Sequence, residues 1–214
     1  MTDGTTTYEG VKIRVVYDAK LCIHAAECGR SAGDLFQGGR DPWCDPDAVA
    51  VDEVTEIVAR CPTGALTFER KDGGPGEAAP DHNVVTISPD GPIYVRGDVV
   101  LDGAEGQGVP TRMALCRCGA SKNKPFCDNS HVELGFKDAG PVGERGKGLP
   151  AQGGKLEINR ARNGPLLLSG NVTIRAGSGR DAWEGTKCAL CRCGQSKNKP
   201  FCDGSHVAAG FQAD

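Results

Sequence analysis

The sequence predicts an α+β protein in which a small mixed N-terminal domain is followed by two β-rich units packed on each other. A repeated segment in the C-terminal part, a strand–helix–strand pattern near the N-terminus and short arrays of cysteine support this prediction. With 31 glycines, 13 prolines and only 5% aromatic residues in 214, the chain has little apolar material for one large core. Small units of this kind usually depend on disulfides or metal ions, and 11 cysteines are present.

The cysteines are expected to bind metal rather than to form disulfides. The N-terminus lacks a basic stretch followed by an apolar run, and no apolar segment approaches the roughly 20 residues that cross a membrane. A cytoplasmic location is therefore predicted, where structural disulfides are rare, and the odd cysteine count argues against a complete disulfide framework. The net charge of −3 gives no general attraction to nucleic acid or to anionic lipid. We expect a cytoplasmic metalloprotein that binds neither nucleic acid nor membranes.

Two segments rich in glycine, proline and charge divide the chain, at residues 71–82 and at residues 138–154. Neither segment keeps an apolar period, so both are predicted to be linkers. The predicted domains are residues 1–70, 83–137 and 155–214.

The first domain is predicted to be a small α+β arrangement. Apolar residues recur at helical spacing between Val51 and Val58, which predicts an amphipathic helix. The predicted elements are a strand at Lys12–Tyr17, a helix at Asp47–Arg60 and a returning strand at Ala65–Phe68.

The second and third domains are copies of each other. Residues 114–136 (ALCRCGASKNKPFCDNSHVELGF) match residues 189–211 (ALCRCGQSKNKPFCDGSHVAAGF) at a constant offset of 75. Upstream, GPIYVRGDVVLDG from Gly91 is similar to GPLLLSGNVTIRAG from Gly164. Such a repeat implies one structural unit used twice, so we expect a monomer with internal pseudo-twofold symmetry. The strands predicted before the two cysteine arrays are Ile93–Leu101 with Thr111–Leu115, and Leu166–Arg175 with Thr186–Leu190.

Each copy contains three cysteines and one histidine with the spacing C-x-C-x₈-C-x₃-H. Three thiolates and one imidazole suit a soft or borderline metal centre. The spacing favours an iron–sulfur cluster, because zinc sites more often pair their ligands as C-x₂₋₄-C on each of two knuckles. A structural zinc site remains the alternative. The candidate ligands are Cys116, Cys118, Cys127 and His131, and then Cys191, Cys193, Cys202 and His206.

The stretch C-R-C-G-x-S-K-N-K-P-F-C-D-[NG]-S-H resembles the signature of the CDGSH (mitoNEET-like) iron–sulfur family. The resemblance implies one [2Fe–2S] cluster per motif, and an internal pseudo-dimer in place of the homodimer of single-motif members. It also implies that each iron has two protein ligands, which are Cys116/Cys118 and Cys127/His131, and likewise Cys191/Cys193 and Cys202/His206. Asn129 departs from the pattern, whereas Gly204 keeps it. A glycine there suggests positive φ, which asparagine tolerates best among the other residues.

The N-terminal region resembles divergent single-cluster ferredoxins through CIHAAEC, PW and RCPTGAL. The resemblance implies a [4Fe–4S] cluster held by Cys22, Cys28 and Cys61. For the fourth ligand, Cys44 is the natural choice and His24 the next. If neither binds, three thiolates suit a [3Fe–4S] cluster. The alternative is a small core with buried thiols.

These features predict a redox carrier rather than an enzyme. There is no Ser-His-Asp set, phosphate-binding glycine loop or nucleotide fingerprint. Electron transfer to an unidentified redox partner protein is expected first. The alternatives are cluster storage or transfer to an apo-acceptor, redox and pH sensing through acid release of the histidine-ligated clusters, and a structural zinc module.

Overall fold

The computed structural model describes residues 4–31, 33–104 and 106–213, which form two compact units that divide between Ala78 and Ala79. The described residues are mostly β, with 8% helix and 30% strand. The predicted α+β class is therefore corrected, because among these residues a strand–helix–strand arrangement occurs in the N-terminal unit alone. The helices of the C-terminal unit span a single turn each. No helix in the described part of the chain is long and apolar enough to cross a membrane.

The N-terminal unit packs one helix against a three-stranded antiparallel sheet of order β1-β2-β3. Alternate residues of the central strand, Ile13 and Val15, are fully buried because every second side chain points to the same face. They form a core with Val54, Ile57 and Val58 of the helix. The elements are β1 (Thr5–Glu9), β2 (Ile13–Asp18), α1 (Val51–Ala59) and β3 (Leu66–Arg70).

Helix α1 begins four residues later than predicted. The carboxylate of Asp47 accepts two hydrogen bonds from the Val11 amide, at 2.8 and 3.0 Å, and the Asp47 amide donates to Asp45. These bonds hold Asp47 in the turn before the helix, so Ala50 is the N-cap. Short polar residues favour such local bonds over helix.

The C-terminal unit contains one seven-stranded sheet and two short helices. Its strands follow the order β6-β8-β9-β4-β5-β7, and β10 pairs with β9. The elements of the first repeat are β4 (Val84–Ile87), β5 (Ile93–Arg96), β6 (Asp98–Leu101), β7 (Arg112–Leu115) and α2 (Ser130–Glu133). Those of the second repeat are β8 (Lys155–Arg160), β9 (Leu166–Arg175), β10 (Asp181–Leu190) and α3 (Ser205–Ala208).

The predicted strand Ile93–Leu101 is divided at Gly97 into β5 and β6. The side chain of Asn83 occupies the space beside Gly97, where a β-carbon would lie 2.1 Å from Asn83 Oδ1. That oxygen accepts a hydrogen bond from the Asp98 amide at 2.9 Å. The second repeat keeps a continuous strand β9, and β10 is longer than the predicted Thr186–Leu190.

The two repeats exchange strand contacts in a reciprocal way. Strand β4 pairs antiparallel with β5 of its own repeat and parallel with β9 of the other. Strand β8 likewise pairs antiparallel with β9 and parallel with β6. Even the register repeats, since Val84 faces Thr173 and the corresponding Glu157 faces Val100. The repeats therefore cannot separate without breaking both parallel pairings.

Candidate metal centres

In the first repeat, the four candidate ligands form two close pairs. Cys116 Sγ lies 3.8 Å from Cys118 Sγ, and Cys127 Sγ lies 3.4 Å from His131 Nδ1. Strand β7 leads directly into the first pair. The backbone then returns, since the Cys127 amide donates to the Ala114 carbonyl at 2.9 Å. This return brings the second pair beside the first.

The loop between the two pairs is held by Ser121, which is 2% exposed. Its hydroxyl donates to the Phe126 carbonyl at 2.7 Å and accepts from the Asn123 amide at 3.0 Å. The Lys124 ammonium donates to the Ser121 carbonyl at 2.5 Å. The serine and lysine of the motif thus close the loop and fix the spacing of the cysteines.

The histidine is positioned by a short helix that begins after a left-handed residue. Asn129 has φ 71° and Gly204 has φ 86°, so the positive φ predicted for this position is confirmed at both sites. Asp128 lies one residue before the N-cap Asn129, and its carboxylate accepts a hydrogen bond from the Ser130 amide at 3.0 Å. These contacts place His131 one turn from Cys127.

The second repeat has the same arrangement. Cys191 Sγ lies 3.7 Å from Cys193 Sγ, and Cys202 Sγ lies 3.4 Å from His206 Nδ1. Within the described ranges, no three or more His, Cys, Asp or Glu side chains are grouped so that they could hold a single metal ion. In both repeats the donors form one cysteine–cysteine pair and one cysteine–histidine pair. A thiol pair facing a thiol–imidazole pair fits the ligand demand of a two-iron centre.

Backbone amides and burial define the electrostatics of these donors. In both repeats, the second and third cysteines of the motif each accept a hydrogen bond on sulfur, at 3.4–3.5 Å, from the backbone amide two residues further along the chain. In the first repeat, the hydrogen bond between the Cys116 and Cys118 sulfur atoms lowers the pKa of Cys118 to about 6 and raises the pKa of Cys116. Burial raises the pKa of Cys127 to about 11 and lowers the pKa of His131. Burial therefore favours a neutral imidazole, which is the form that binds metal.

Two buried arginines, one inside each C-x-C segment, were missed by sequence reasoning. Arg117 donates to the carbonyls of Gly91 at 3.0 Å and Ser88 at 2.6 Å, and pairs with Asp138. Arg192 is also 1% exposed and makes the equivalent bond to the Gly164 carbonyl at 3.0 Å. Both arginines tie the cysteine segment to an upstream Gly-Pro turn. The signal available in the sequence was the same charged residue repeated between the two cysteines.

In the N-terminal unit, Cys22, Cys28 and Cys61 line one cavity of about 260 Å³. His24 lies in the same lining, and Tyr17 and Trp43 form part of the wall. The two flanks are supplied by the segment after β2 and by the end of α1. Burial and the nearby Cys61 and Cys22 raise the pKa of Cys28. Three thiols around one cavity fit the donor chemistry of an iron–sulfur cluster.

The structure does not bring Cys44 into the lining of this cavity. Cys44 is 1% exposed and belongs to the hydrophobic core with Ile13, Leu35 and Val54. It forms a β-bridge with Phe36, and burial raises its pKa to about 12. Cys44 was expected as the fourth ligand ahead of His24. The placement favours the opposite order, because His24 lines the cavity together with Cys22, Cys28 and Cys61, whereas Cys44 lies in the core. Sequence adjacency to Trp43, which does line the cavity, could not show that Cys44 points into the core.

Comparison with known proteins supports this division of the chain. A family model described as divergent 4Fe-4S mono-cluster matches residues 8–71, and one described as iron-binding zinc finger, CDGSH type, matches residues 90–132 and 163–207. The uncharacterized protein YjdI of Escherichia coli K12 is 40% identical over 68 residues, which cover 32% of this chain and 90% of YjdI. YjdI of strain O157:H7 gives the same values. No solved structure matches the chain.

These folds, donor sets and matches define an iron–sulfur protein. The chain contains two CDGSH-type iron-binding motifs in tandem and, at its N-terminus, a divergent 4Fe-4S mono-cluster domain related to YjdI. Both resemblances noted in the sequence are thereby confirmed.

Proposed function

We propose that the chain is an electron carrier with two [2Fe–2S] clusters in its repeats and a third cluster in its N-terminal unit. Iron–sulfur clusters supply reversible one-electron transfer when bound. The observation that carries the proposal is the pairing of donors in each repeat. A mononuclear zinc site would need four donors converging at about 2.0–2.3 Å from one ion. Separate pairs of two donors suit two neighbouring irons.

In this proposal, Cys116 and Cys118 hold one iron of the first centre, and Cys127 and His131 hold the other. A neutral imidazole in place of a thiolate raises the reduction potential of a cluster, as in Rieske centres. The equivalent ligands of the second centre are Cys191, Cys193, Cys202 and His206.

The two repeats together are proposed to form an internal pseudo-dimer, so that one chain does the work of two single-motif subunits. The reciprocal pairing of β4 with β9 and of β8 with β6 supports this proposal. It also supports a monomeric chain, because the sheet contacts that a second copy would offer are already made internally. The cytoplasmic location and the absence of nucleic-acid and membrane partners stay predictions of the sequence.

The third cluster is proposed to lie in the N-terminal cavity, bound by Cys22, Cys28 and Cys61. If the cluster is [4Fe–4S], His24 is the proposed fourth ligand because it lies in the cavity lining while Cys44 lies in the core. If no fourth ligand binds, the cluster is [3Fe–4S]. Without His24 the centre would be held by thiolates alone, and an all-thiolate centre has a lower potential than a histidine-ligated one.

A carrier role is favoured over cluster delivery by the burial of the cysteines in the two C-x-C segments. Cys116 and Cys191 are each 1% exposed, and Cys118 and Cys193 are only slightly more so. Shielded ligands suit a cluster that stays in place while electrons pass. Cluster delivery or sensing is the second candidate, and the partial exposure of His131, Cys202 and His206 favours it.

The two candidates are separated by cycling the purified chain through reduction and reoxidation without oxygen, alone and with an apo-acceptor protein. A carrier recovers its visible absorption and keeps its iron in both cases. Transfer of iron and sulfide to the acceptor at each cycle would contradict the carrier role and establish the cluster donor.

A further inference from the structure

The two C-x-C segments, Cys116–Cys118 and Cys191–Cys193, meet across the boundary between the repeats. Gly119 follows the first and Gly194 follows the second, with φ of +85° and +79°. A β-carbon on Gly119 would lie 2.5 Å from the Cys193 carbonyl oxygen. One on Gly194 would lie 2.4 Å from the Cys118 carbonyl oxygen. The contact is reciprocal and leaves no room for a side chain on either side.

Glycine is required here for two separate reasons. A positive φ disfavours any residue with a β-carbon, and the neighbouring carbonyl would also collide with one. The motif contains other glycines that meet only the first condition. Gly135 and Gly210 have φ of +64° and +59°, and nothing lies within 4 Å of a β-carbon built on them. Gly119 and Gly194 thus meet both conditions at the place where the two cysteine segments come together.

A second contact joins the same two regions. The Phe211 ring, which follows the histidine helix of the second repeat, lies 5.5 Å from the Arg192 guanidinium of its own C-x-C segment. The Lys124 ammonium of the first repeat's ligand loop lies 5.9 Å from the same ring. The ligand loop of one repeat is therefore packed on the C-x-C segment of the other.

We propose that the Gly119–Cys193 and Gly194–Cys118 contacts couple the two repeat centres, so that an electron taken up at one exchanges with the other inside the same chain. The proposal rests on the function proposed above, in which each motif holds a [2Fe–2S] cluster. The path runs from Cys118 Sγ along its covalent bonds to the carbonyl, crosses one van der Waals contact to Gly194, and follows covalent bonds to Cys193 Sγ. In each exchange one centre is oxidised and the other is reduced by one electron, and no further reactant is needed.

The same contact has an electrostatic consequence. Charges that are close together in a protein interior, away from water, interact more strongly than charges at the surface. An electron on one centre therefore opposes the arrival of a second electron on the other. The two centres should be reduced in two separate steps, although their ligand sets are the same.

The test compares the intact chain with two single-site chains, Cys116→Ala/Cys118→Ala and Cys191→Ala/Cys193→Ala. A chain lacking both C-x-C pairs supplies the N-terminal signal for subtraction. The expected result is a magnetic interaction in the EPR spectrum of the fully reduced intact chain that is lost in both single-site chains. In a redox titration, the centre left in each single-site chain is expected to be reduced at a higher potential than the second step of the intact chain.

The glycine contact is tested with Gly194→Ala against the matched control Gly210→Ala. Both place a β-carbon at positive φ, but only the first meets the Cys118 carbonyl. We expect G194A to change the EPR signal of the first repeat's centre and to weaken the interaction, and G210A to leave both unchanged. If G194A does not fold, the comparison of intact and single-site chains still decides the coupling.

The failures are distinguishable by iron and sulfide content. An intact chain without two clusters in its repeats contradicts the proposed function itself. An intact chain with both clusters, whose reduced spectrum equals the sum of the two single-site spectra, overturns the coupling and leaves the proposed function standing.

Discussion

The repeat motifs and the N-terminal cavity present their sulfur atoms in different ways. In each repeat the four donors lie on one 16-residue segment and already stand in pairs 3.4–3.8 Å apart. The three N-terminal cysteines come from two distant segments and surround a cavity of about 260 Å³. The repeat sites are preorganised by their own loop hydrogen bonds. The N-terminal site is organised by the fold around it. The sequence near its cysteines therefore does not identify the fourth ligand.

The largest expected effect is the loss of the N-terminal cluster. Cys61→Ala removes one of three thiols from the cavity, so about three or four iron atoms per chain should be lost while the repeat clusters remain. Iron and sulfide analysis with EPR checks this. Cys44→Ala is the matched control and should keep all iron, because Cys44 lies in the core. Loss of the cluster in C44A, with H24A fully loaded, would contradict the placement of the fourth ligand.

The next largest expected effect is the loss of the cluster of one repeat while the other repeat keeps its own. Cys202→Ala leaves the thiol–imidazole pair of the second repeat without its sulfur, so about two iron and two sulfide per chain should be lost. The same analysis measures it. Cys188→Ala, a substitution on β10 of a thiol outside both pairs, is the control and should lose none. Equal iron loss in both variants would show that the pairs do not define the site.

The buried arginines should matter for stability more than any exposed ion pair. Arg117→Met removes the charged partner of the largely buried Asp138 carboxylate and the side-chain donor to the buried Gly91 carbonyl, which should cost about 3–5 kcal/mol of unfolding free energy. Chemical denaturation of the holoprotein measures it. Arg175→Met breaks the exposed pair with Asp181 and should cost about 0–1 kcal/mol. Similar costs for the two variants would refute the anchoring role of Arg117.

The smallest effect concerns the residue before the histidine helix. Asn129→Gly relieves a left-handed backbone at φ 71° and should stabilise the chain by at most about 1 kcal/mol. Gly204→Asn imposes the same strain on the second repeat and should cost about as much. Thermal unfolding of the two variants against the wild type provides the comparison. Destabilisation by N129G would mean that the Asn129 side chain contributes something other than a tolerated φ.

Local features of the molecule could be predicted and non-local ones could not. The ligand sets of the repeats lie on single short segments, and the positive φ at Asn129 follows from the glycine at the equivalent Gly204. The strand exchange between the repeats depends on pairings such as Val84 with Thr173, which no local pattern encodes. For the same reason, the division of one predicted strand at Gly97 required knowledge of Asn83, a residue packed against it from outside the strand.

The placement of the N-terminal cysteines also depends in part on contacts that are distant in sequence. Cys22, Cys28 and Cys61 could be chosen from the resemblance to divergent single-cluster ferredoxins. Cys44 could not be excluded, because the direction of its side chain depends on the β-bridge to Phe36 and on the packing of α1. The burial of Arg117 was hidden for a similar reason, since a charged residue between two cysteines is usually exposed.

The paired donors are tested most directly by measuring iron, acid-labile sulfide and zinc per chain after purification without oxygen, together with EPR of the reduced state. We expect about eight iron and eight sulfide per chain if the N-terminal cluster is [4Fe–4S], or about seven iron if it is [3Fe–4S]. About four iron would leave the repeats as assigned and the N-terminal cavity without a cluster. Zinc without sulfide would contradict the assignment of [2Fe–2S] clusters to the repeats, and the repeats would then be zinc-binding interaction modules.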